Sequence, residues 1–420
     1  MLRRHLTRSI VEALSDAPIV LLLGARQTGK STLAESLAAG EHPARYLTLD
    51  DPAVLTVARH DPADFVAGLE GPVVLDEIHR APELFPALKA KVDRDRRPGR
   101  FLLTSSANVT LLPWFTEPLA GRMKVLTLWP LSQGEIEERM EGFVDVVFAA
   151  TLPPLTEGLP DRSELVRRVL RGGYPEALAR SAESRRSVWF SSYLTTILHR
   201  EVRDLANIEG LTALPRLLAV LSARVMALSN FAELSRSIDL PLSTLKRYMA
   251  LLETTFLVQM LRAWSGKAGK RLVKAPRLLV SDTGLIAHLL GADPERLMLK
   301  PELFGPLLEN FVAMELRKQL AWSQTRPSLY HFCTQTGQEV DLVLEEKAGR
   351  IVGVNVRASA TVSAQDFKGL RTLADVVGKR FRRGIVLYTG STAIPFGTHL
   401  HALPVGALWH LAATRDKEAG

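Results

Sequence analysis

An α/β fold is predicted for this sequence. A parallel-sheet domain comes first, a helical region follows, and a smaller α/β unit closes the chain. Three stretches predict it. "IVLLLGARQTGKST" sets an apolar strand, Ile19–Leu23, against a glycine-bearing loop and a helix-like run. Between residues 160 and 285 apolar residues recur mostly at helical spacing. "QEVDLVLEEKAGRIVGVNVRAS", residues 338–359, reads as two strands joined by a turn, with Val352, Val354 and Val356 alternating with Gly353, Asn355 and Arg357. The domains expected are 1–150, 160–285 and 286–420, with a linker in the Pro- and Gly-rich stretch 151–163.

Composition bounds the problem. The chain has 420 residues, is 46% hydrophobic and 23% charged, and carries a net charge of +8. That length suits two to four globular domains. Cys333 is the one cysteine, so a disulfide framework is excluded and a reducing cytoplasm is the expected location. No apolar run reaches the roughly 20 residues of a membrane span. The basic start "MLRRHLTRSIVEAL" reads as an amphipathic helix with Leu6, Ile10, Val11 and Leu14 on one side. Residues 229–280 hold nine Lys or Arg against three acids, a local surplus compatible with nucleic acid.

After the first strand, Gly24, Ala25, Arg26, Gln27, Thr28, Gly29, Lys30 and Ser31 match G-x-x-x-x-G-K-[ST], the phosphate loop of P-loop NTPases, with Thr32 following. Its amides and the helix N-terminus behind it favour anions. Lys30 would reach the β- and γ-phosphates of ATP, and Ser31 would hold Mg²⁺. "GPVVLDEIHR" supplies a second apolar strand ending in Asp76, for the Mg²⁺ shell, and Glu77, for the attacking water. An apolar strand at Tyr46–Leu49 lies between the two motifs.

The ordered blocks "LLLGARQTGKS", "YLTLDDP", "VVLDEIHRAPELF", "FLLTSSA", "LAGR", "LTLWPLSQGE", "GGYPEAL", "KAPRLLVSDTGL", "LLENFVAMEL", "EVDLVL" and "ALPVGALW" resemble a family of uncharacterised prokaryotic AAA+-type ATPases. Those proteins carry a helical, winged-helix-like middle and a restriction-endonuclease-like C-terminal domain. The likeness covers almost the whole chain. It implies a γ-phosphate sensor at the tip of the fourth strand, with Thr104, Ser105 and Ser106 as candidates. It also implies that Arg122, just before a fifth strand at Val125–Leu128, reaches a neighbouring subunit's nucleotide, so that the chain works as a homo-oligomer, a ring being one form.

"SNFAELSRSIDLPLSTLKRYMALLETTFLV" resembles a helix-turn-helix within a winged-helix-like unit at about 229–280. Asn230 would cap one helix. Leu245, Tyr248, Met249 and Leu252 make the apolar face of the next, with Thr244, Lys246 and Arg247 opposite. A strand at Phe256–Leu261 leads to a basic turn, whose Lys267, Lys270 and Arg271 would contact DNA phosphates. The same unit could instead dock protein.

In restriction-endonuclease-like folds a helix acid, a strand Asp and an E-x-K build a metal site. Glu309 or Glu315 would be the helix acid, and Asp341, sharing a face with Glu339, the strand residue. Asn355 stands where the second metal-binding acid belongs and Arg357 where the lysine does. An amide removes charge from a Mg²⁺ site, and arginine cannot give up its proton. The expectation is a nuclease-like fold without cleavage, whose Arg357 could still hold phosphate. Taken together, the sequence points to a Mg²⁺-dependent ATPase that binds or remodels DNA, branched or recombination DNA included. A nucleotide-gated protein-interaction component, chaperone-like or from a defence system, is the alternative, and a working nuclease a third.

Overall fold

The structure is a computed structural model and describes residues 3–112, 121–155, 158–198, 213–266 and 274–412. The chain forms two compact units: residues 1–131 with 249–257, and residues 132–248 with 258–420.

The first unit is built on a parallel sheet of β1 (Ile19–Leu23), β2 (Arg45–Thr48), β3 (Val73–Asp76), β4 (Phe101–Ser105) and β5 (Met123–Thr127), in the order β2-β3-β4-β1-β5. The three central strands are buried at every position, as apolar runs in a sheet covered on both faces must be. The edges β2 and β5 are less buried, which explains their weaker apolar pattern. Strand β4 lies between the two motif-bearing strands, β1 and β3. Helix α1 (Leu6–Asp16) buries Leu6, Ile10, Ala13 and Leu14, with Val11 only partly covered. Four further helices cover the sheet: α2 (Lys30–Ala39), α3 (Pro52–His60), α4 (Pro62–Ala67) and α5 (Leu84–Arg94). Residues 249–257 return to this unit. Thr254 accepts a hydrogen bond from the Asn108 amide at 2.7 Å, and Phe256 meets Trp129 edge-on at 5.8 Å.

The second unit begins with two short helices, α6 (Gln133–Ile136) and α7 (Phe143–Val146), which the sequence had grouped with the first domain. They belong here because the Gln133 amide donates to Glu315 at 2.9 Å and the Val144 amide to the Gln319 side chain at 3.3 Å. The helical region holds α8 (Arg162–Arg171), α9 (Pro175–Leu178), α10 (Glu183–Thr196), α11 (Leu214–Ala223), α12 (Phe231–Ile238) and α13 (Leu242–Thr254). Asn230 caps α12 by accepting from the Glu233 amide, as expected. Leu245, Tyr248, Met249 and Leu252 of α13 are buried, while Lys246 and Arg247 are exposed and Thr244 is half-buried. The strand after α13 starts later than predicted, as β6 (Val258–Leu261), because Phe256 turns at φ 60°. It pairs antiparallel with β7 (Arg277–Val280). Lys267, Lys270 and Arg271 lie outside the described residues.

After α14 (Thr283–Leu290) and α15 (Pro294–Leu299), the 20-residue helix α16 (Pro301–Leu320) leads into a six-stranded sheet. Its strands are β8 (Ser328–Cys333), β9 (Glu339–Glu345), β10 (Ile351–Arg357), β11 (Phe381–Tyr388), β12 (Ile394–Pro395) and β13 (Leu400–Pro404), in the order β12-β13-β11-β10-β9-β8. The predicted hairpin is β9–β10, antiparallel. Strand β10 is buried from Ile351 to Val356, so both its faces are covered, despite the alternation in its sequence. Helix α17 (Lys368–Val377) covers one of them, Leu370 closing over Gly353, after a Ser363/Asp366 capping box.

Candidate nucleotide site and a paired-charge counterpart

The phosphate loop runs from the end of β1 to the start of α2. Gly24 is required by close approach: a Cβ there would stand 2.2 Å from the Leu128 carbonyl oxygen. Gly29 forms the left-handed N-cap of α2 at φ 91°. Within the loop Thr28 Oγ1 donates to the Ala25 carbonyl at 2.8 Å, and buried Lys30 Nζ to the same oxygen at 3.1 Å. Lys30 is thus drawn across the loop onto one of its own carbonyls. Thr32 faces outward from α2.

Asp76 is the hub of the site. Ser31 Oγ lies 3.0 Å from both its carboxylate oxygens, Thr104 Oγ1 2.5 Å from Oδ1, and Thr48 Oγ1 3.4 Å from Oδ2. These partners are neutral hydroxyls, so they hold the carboxylate still without bringing a positive charge to it. Ser31 and Asp76 therefore suit a Mg²⁺ ion, which takes hard oxygen ligands.

Glu77 follows in a left-handed conformation, φ 57° and ψ 46°, which costs a non-glycine residue about 1 kcal/mol. Its amide donates to Thr104 Oγ1 at 3.0 Å, and its carboxylate accepts from the Ser106 amide at 2.9 Å with His79 Nδ1 at 3.2 Å. Burial pushes this carboxyl up. The His79 contact, the Lys30 and His79 charges and the Ser106 amide outweigh it and hold the group at about 2. Glu77 is therefore ionised and can accept a hydrogen bond from water.

The structure separates the three fourth-strand candidates. Thr104 bridges Asp76 and Glu77. Ser105 turns away to the Ala107 carbonyl at 2.7 Å, and Ser106 contributes its amide. Two contributors were missed in the sequence. Thr48 sits in "YLTLDDP" with nothing local to mark it. Arg4 donates from its guanidinium to the Thr28 and Trp129 carbonyls, each at 2.7 Å, bracing the loop from before α1.

Arg122 precedes β5, and β5 runs parallel to β1 with Met123 opposite Ile19. Arg122 therefore lies at the strand edge opposite its own phosphate loop, where it pairs with Asp93 of α5 and holds that carboxyl below its usual range.

The second acidic group forms in the C-terminal part of the second unit. Helix α16 is fixed to β7 by Asn310, whose amide accepts from the Val280 N–H at 3.0 Å and donates to the Val280 carbonyl at 2.9 Å. That docking brings Glu309 near Asp341, where burial and then the Asp341 charge push Glu309 up to about 8, against the opposing charges of Arg277 and Arg357. Glu315 is corrected: it is buried elsewhere, with Lys318 Nζ at 2.6 Å. Asp341 Oδ2 accepts from the Val356 amide at 2.9 Å, and Asn355 Oδ1 accepts from the Asp341 amide at 3.2 Å.

Arg277 was not foreseen as part of this cluster. From β7 it donates to Asp341 Oδ1 at 3.2 Å and to Glu339, while Arg357 approaches Asp341 Oδ2 at 3.4 Å and donates to Asp366 at 3.0 Å. Two guanidinium groups thus occupy the charge that a metal would need. Among the described residues no group of three or more His, Cys, Asp or Glu could hold a metal ion. Arg277 belongs to the basic stretch 229–280 but is buried, while Lys274 of the same stretch is exposed and donates to the Cys333 carbonyl at 3.1 Å.

Residues 16–137 match the AAA domain family, in agreement with the sheet order and phosphate loop. Residues 162–296 match a domain of unknown function, DUF8612, and residues 304–408 another, DUF4143. Uncharacterised proteins of Mycobacterium bovis and Mycobacterium tuberculosis are each 30% identical over 402 residues, 96% of this chain and 83% of theirs. Among solved structures, the RuvB Holliday junction branch migration motor of Thermotoga maritima is 18% identical, with 65% of this chain and 95% of that one covered and a TM-score of 0.29. A Drosophila ORC structure bound to AT-rich DNA and Cdc6 is 15% identical, covering 68% of this chain and 91% of that one, with a TM-score of 0.21. Scores this low carry no conclusion about this chain. No described helix is long and apolar enough to cross a membrane.

Proposed function

This chain belongs to the family of the two mycobacterial proteins and contains an AAA domain, and on that premise we propose that it hydrolyses ATP with Mg²⁺ to act on DNA. The observation that carries the ATPase reading is the convergence of Ser31, Thr48 and Thr104 hydroxyls on one carboxylate, Asp76, beside Lys30 and Glu77. The loop amides and Lys30 would cradle the phosphates. Ser31 and Asp76 would hold Mg²⁺, which supplies neutralisation of phosphate charge when bound. Glu77 would orient the attacking water and accept its proton. Thr104 keeps Asp76 and Glu77 in register, and is the sensor candidate these contacts favour.

Work on DNA is supported by exposed Lys246 and Arg247 on α13, opposite its buried face. Assembly into a homo-oligomer is supported by the place of Arg122, which suits a neighbour's nucleotide and not its own. A cytoplasmic location accords with the single cysteine. Cleavage of DNA or RNA is not part of the proposal, since Arg277 and Arg357 pair the carboxylate a metal would need.

The test is the ATPase rate with and without duplex and branched DNA across a salt series. Stimulation by DNA should fall steeply with salt, by about 0.9 in log–log slope per phosphate contact on duplex. A rate indifferent to DNA at every salt concentration would discard DNA in favour of a protein partner. Arg122→Ala should hydrolyse slowly alone and regain activity when mixed with Glu77→Gln, whose intact Arg122 can face an intact Glu77. Failure to regain activity in mixed oligomers would remove Arg122 from the site.

A further inference from the structure

Two sequence blocks unused by the nucleotide site meet in the second unit. Asp282, in "VSDTGL", is buried, caps α14 by accepting from the Leu285 amide at 3.1 Å, and accepts from the Gly173 amide of "GGYPEAL" at 2.7 Å. The contact leaves no room for a side chain at Gly172, where a Cβ would stand 2.2 Å from Asp282 Oδ1. The C-terminal end of α8 is thereby locked against the start of α14.

Beside this joint lies a cavity of about 640 Å³. That size is typical of small-molecule sites. Leu170, Leu178 and Phe190 give it apolar walls, and Arg171 and Arg186 line it with positive charge. Arg186 is fixed by donating to the Arg180 and Ser181 carbonyls at 2.9 and 2.7 Å. Burial and then the Arg171 charge disfavour its protonated form, with Glu183 opposing. No described carboxylate forms an ion pair with either arginine. His288, also on the wall, has its two ring nitrogens against the Ser187 and Ser191 hydroxyls at 3.1 and 3.2 Å. Glu183 and Asp293 also line the cavity, but neither forms an ion pair with Arg171 or Arg186, so the two guanidinium groups leave a place for a dianion. A phosphoryl group fits it better than a single carboxylate, because its three oxygens can accept from both forks.

We propose that this cavity, between the ends of α8, α9, α10 and α14, binds an organic phosphate. Arg171 and Arg186 grip the phosphoryl group, and the apolar wall covers the organic part.

The test uses the full chain carrying Lys30→Ala, so that the phosphate loop does not compete. Phenyl phosphate, benzoate, phenol and an acidic hexapeptide are titrated by calorimetry. Phenyl phosphate should bind at least tenfold more tightly than benzoate, and phenol not at all. Arg171→Gln should weaken phenyl phosphate at least tenfold. Ala179→Trp, which fills the cavity from an exposed lining position and keeps both arginines, should abolish binding. Unchanged circular dichroism and ligand-free melting would show that both variants fold. Absent binding, equal affinity for benzoate, binding of the peptide alone, or affinity unmoved by both variants would overturn the site.

Discussion

Asp76 and Asp341 make an instructive pair. Each is a largely buried aspartate at a strand, each has a second acid close by, and each is held by hydrogen bonds. Asp76 is surrounded by hydroxyls, which fix it without cancelling its charge. Asp341 is met by two guanidinium groups, Arg277 and Arg357, which cancel it. The neighbouring glutamates follow suit. Glu77 is held down to about 2 by His79, Lys30 and a backbone amide against burial, whereas Glu309 is raised to about 8 by burial and Asp341. What an aspartate can do is decided by the charge of its partners more than by the aspartate itself.

The largest effect that would sharpen this contrast comes from Glu77→Gln. ATP affinity should change by only a few fold while turnover falls by about 10³ or more, since the group acts on the attacking water alone. Measuring both in one preparation separates the roles, and a variant that still turns over would break the assignment. Lys30→Ala should weaken ATP binding by about 10², read by equilibrium titration with a labelled nucleotide, because a ground-state phosphate contact is lost.

In the other site, Arg277→Met should cost about 2–4 kcal/mol of stability at neutral pH, leaving Asp341 short of a partner. Urea denaturation checks this, and adding Asp341→Asn should recover part of the loss. A neutral result for Arg277→Met would mean that the pairing does not define the site. The smallest effect concerns Glu309. Its folded pKa of about 8 lies above the ordinary 4.5, so between those values the folded chain binds a proton that the unfolded chain does not. The stabilisation is whole below 4.5 and fades as pH rises toward 8. Wild type should therefore lose stability relative to Glu309→Gln as the pH rises from 5 to 8. Parallel pH curves for the two proteins would contradict the burial of an uncharged Glu309.

The nucleotide site was legible where it is local. The phosphate loop is contiguous, and Asp76 and Glu77 end an apolar strand, so spacing alone names them. Arg4 and Thr48 were not legible, because they arrive from other elements and carry no motif. Arg277 was hidden for the same reason, counted among the basic residues of 229–280 and in fact turned toward Asp341 from β7, a strand of the separate two-stranded sheet. Sequence could not choose between Glu309 and Glu315 because α16 is buried on almost every side, so no polar stripe marks its orientation. The Pro- and Gly-rich stretch 151–163 misplaced the first border. Such a stretch marks a loop, while the unit ends where hydrogen bonds from Gln133 and Val144 begin to reach α16.

The return of residues 249–257 to the first unit has a consequence for synthesis on the ribosome. When residue 131 leaves the exit tunnel, the parallel sheet has all five strands but lacks the segment that seats Phe256 against Trp129 and Thr254 against Asn108. At roughly 5–20 residues per second, the missing piece follows on the order of ten seconds later, with less than half of the second unit made in between. The nascent sheet must wait with that edge uncovered, so a fragment ending at residue 131 or 150 should retain its phosphate loop and yet aggregate through Trp129.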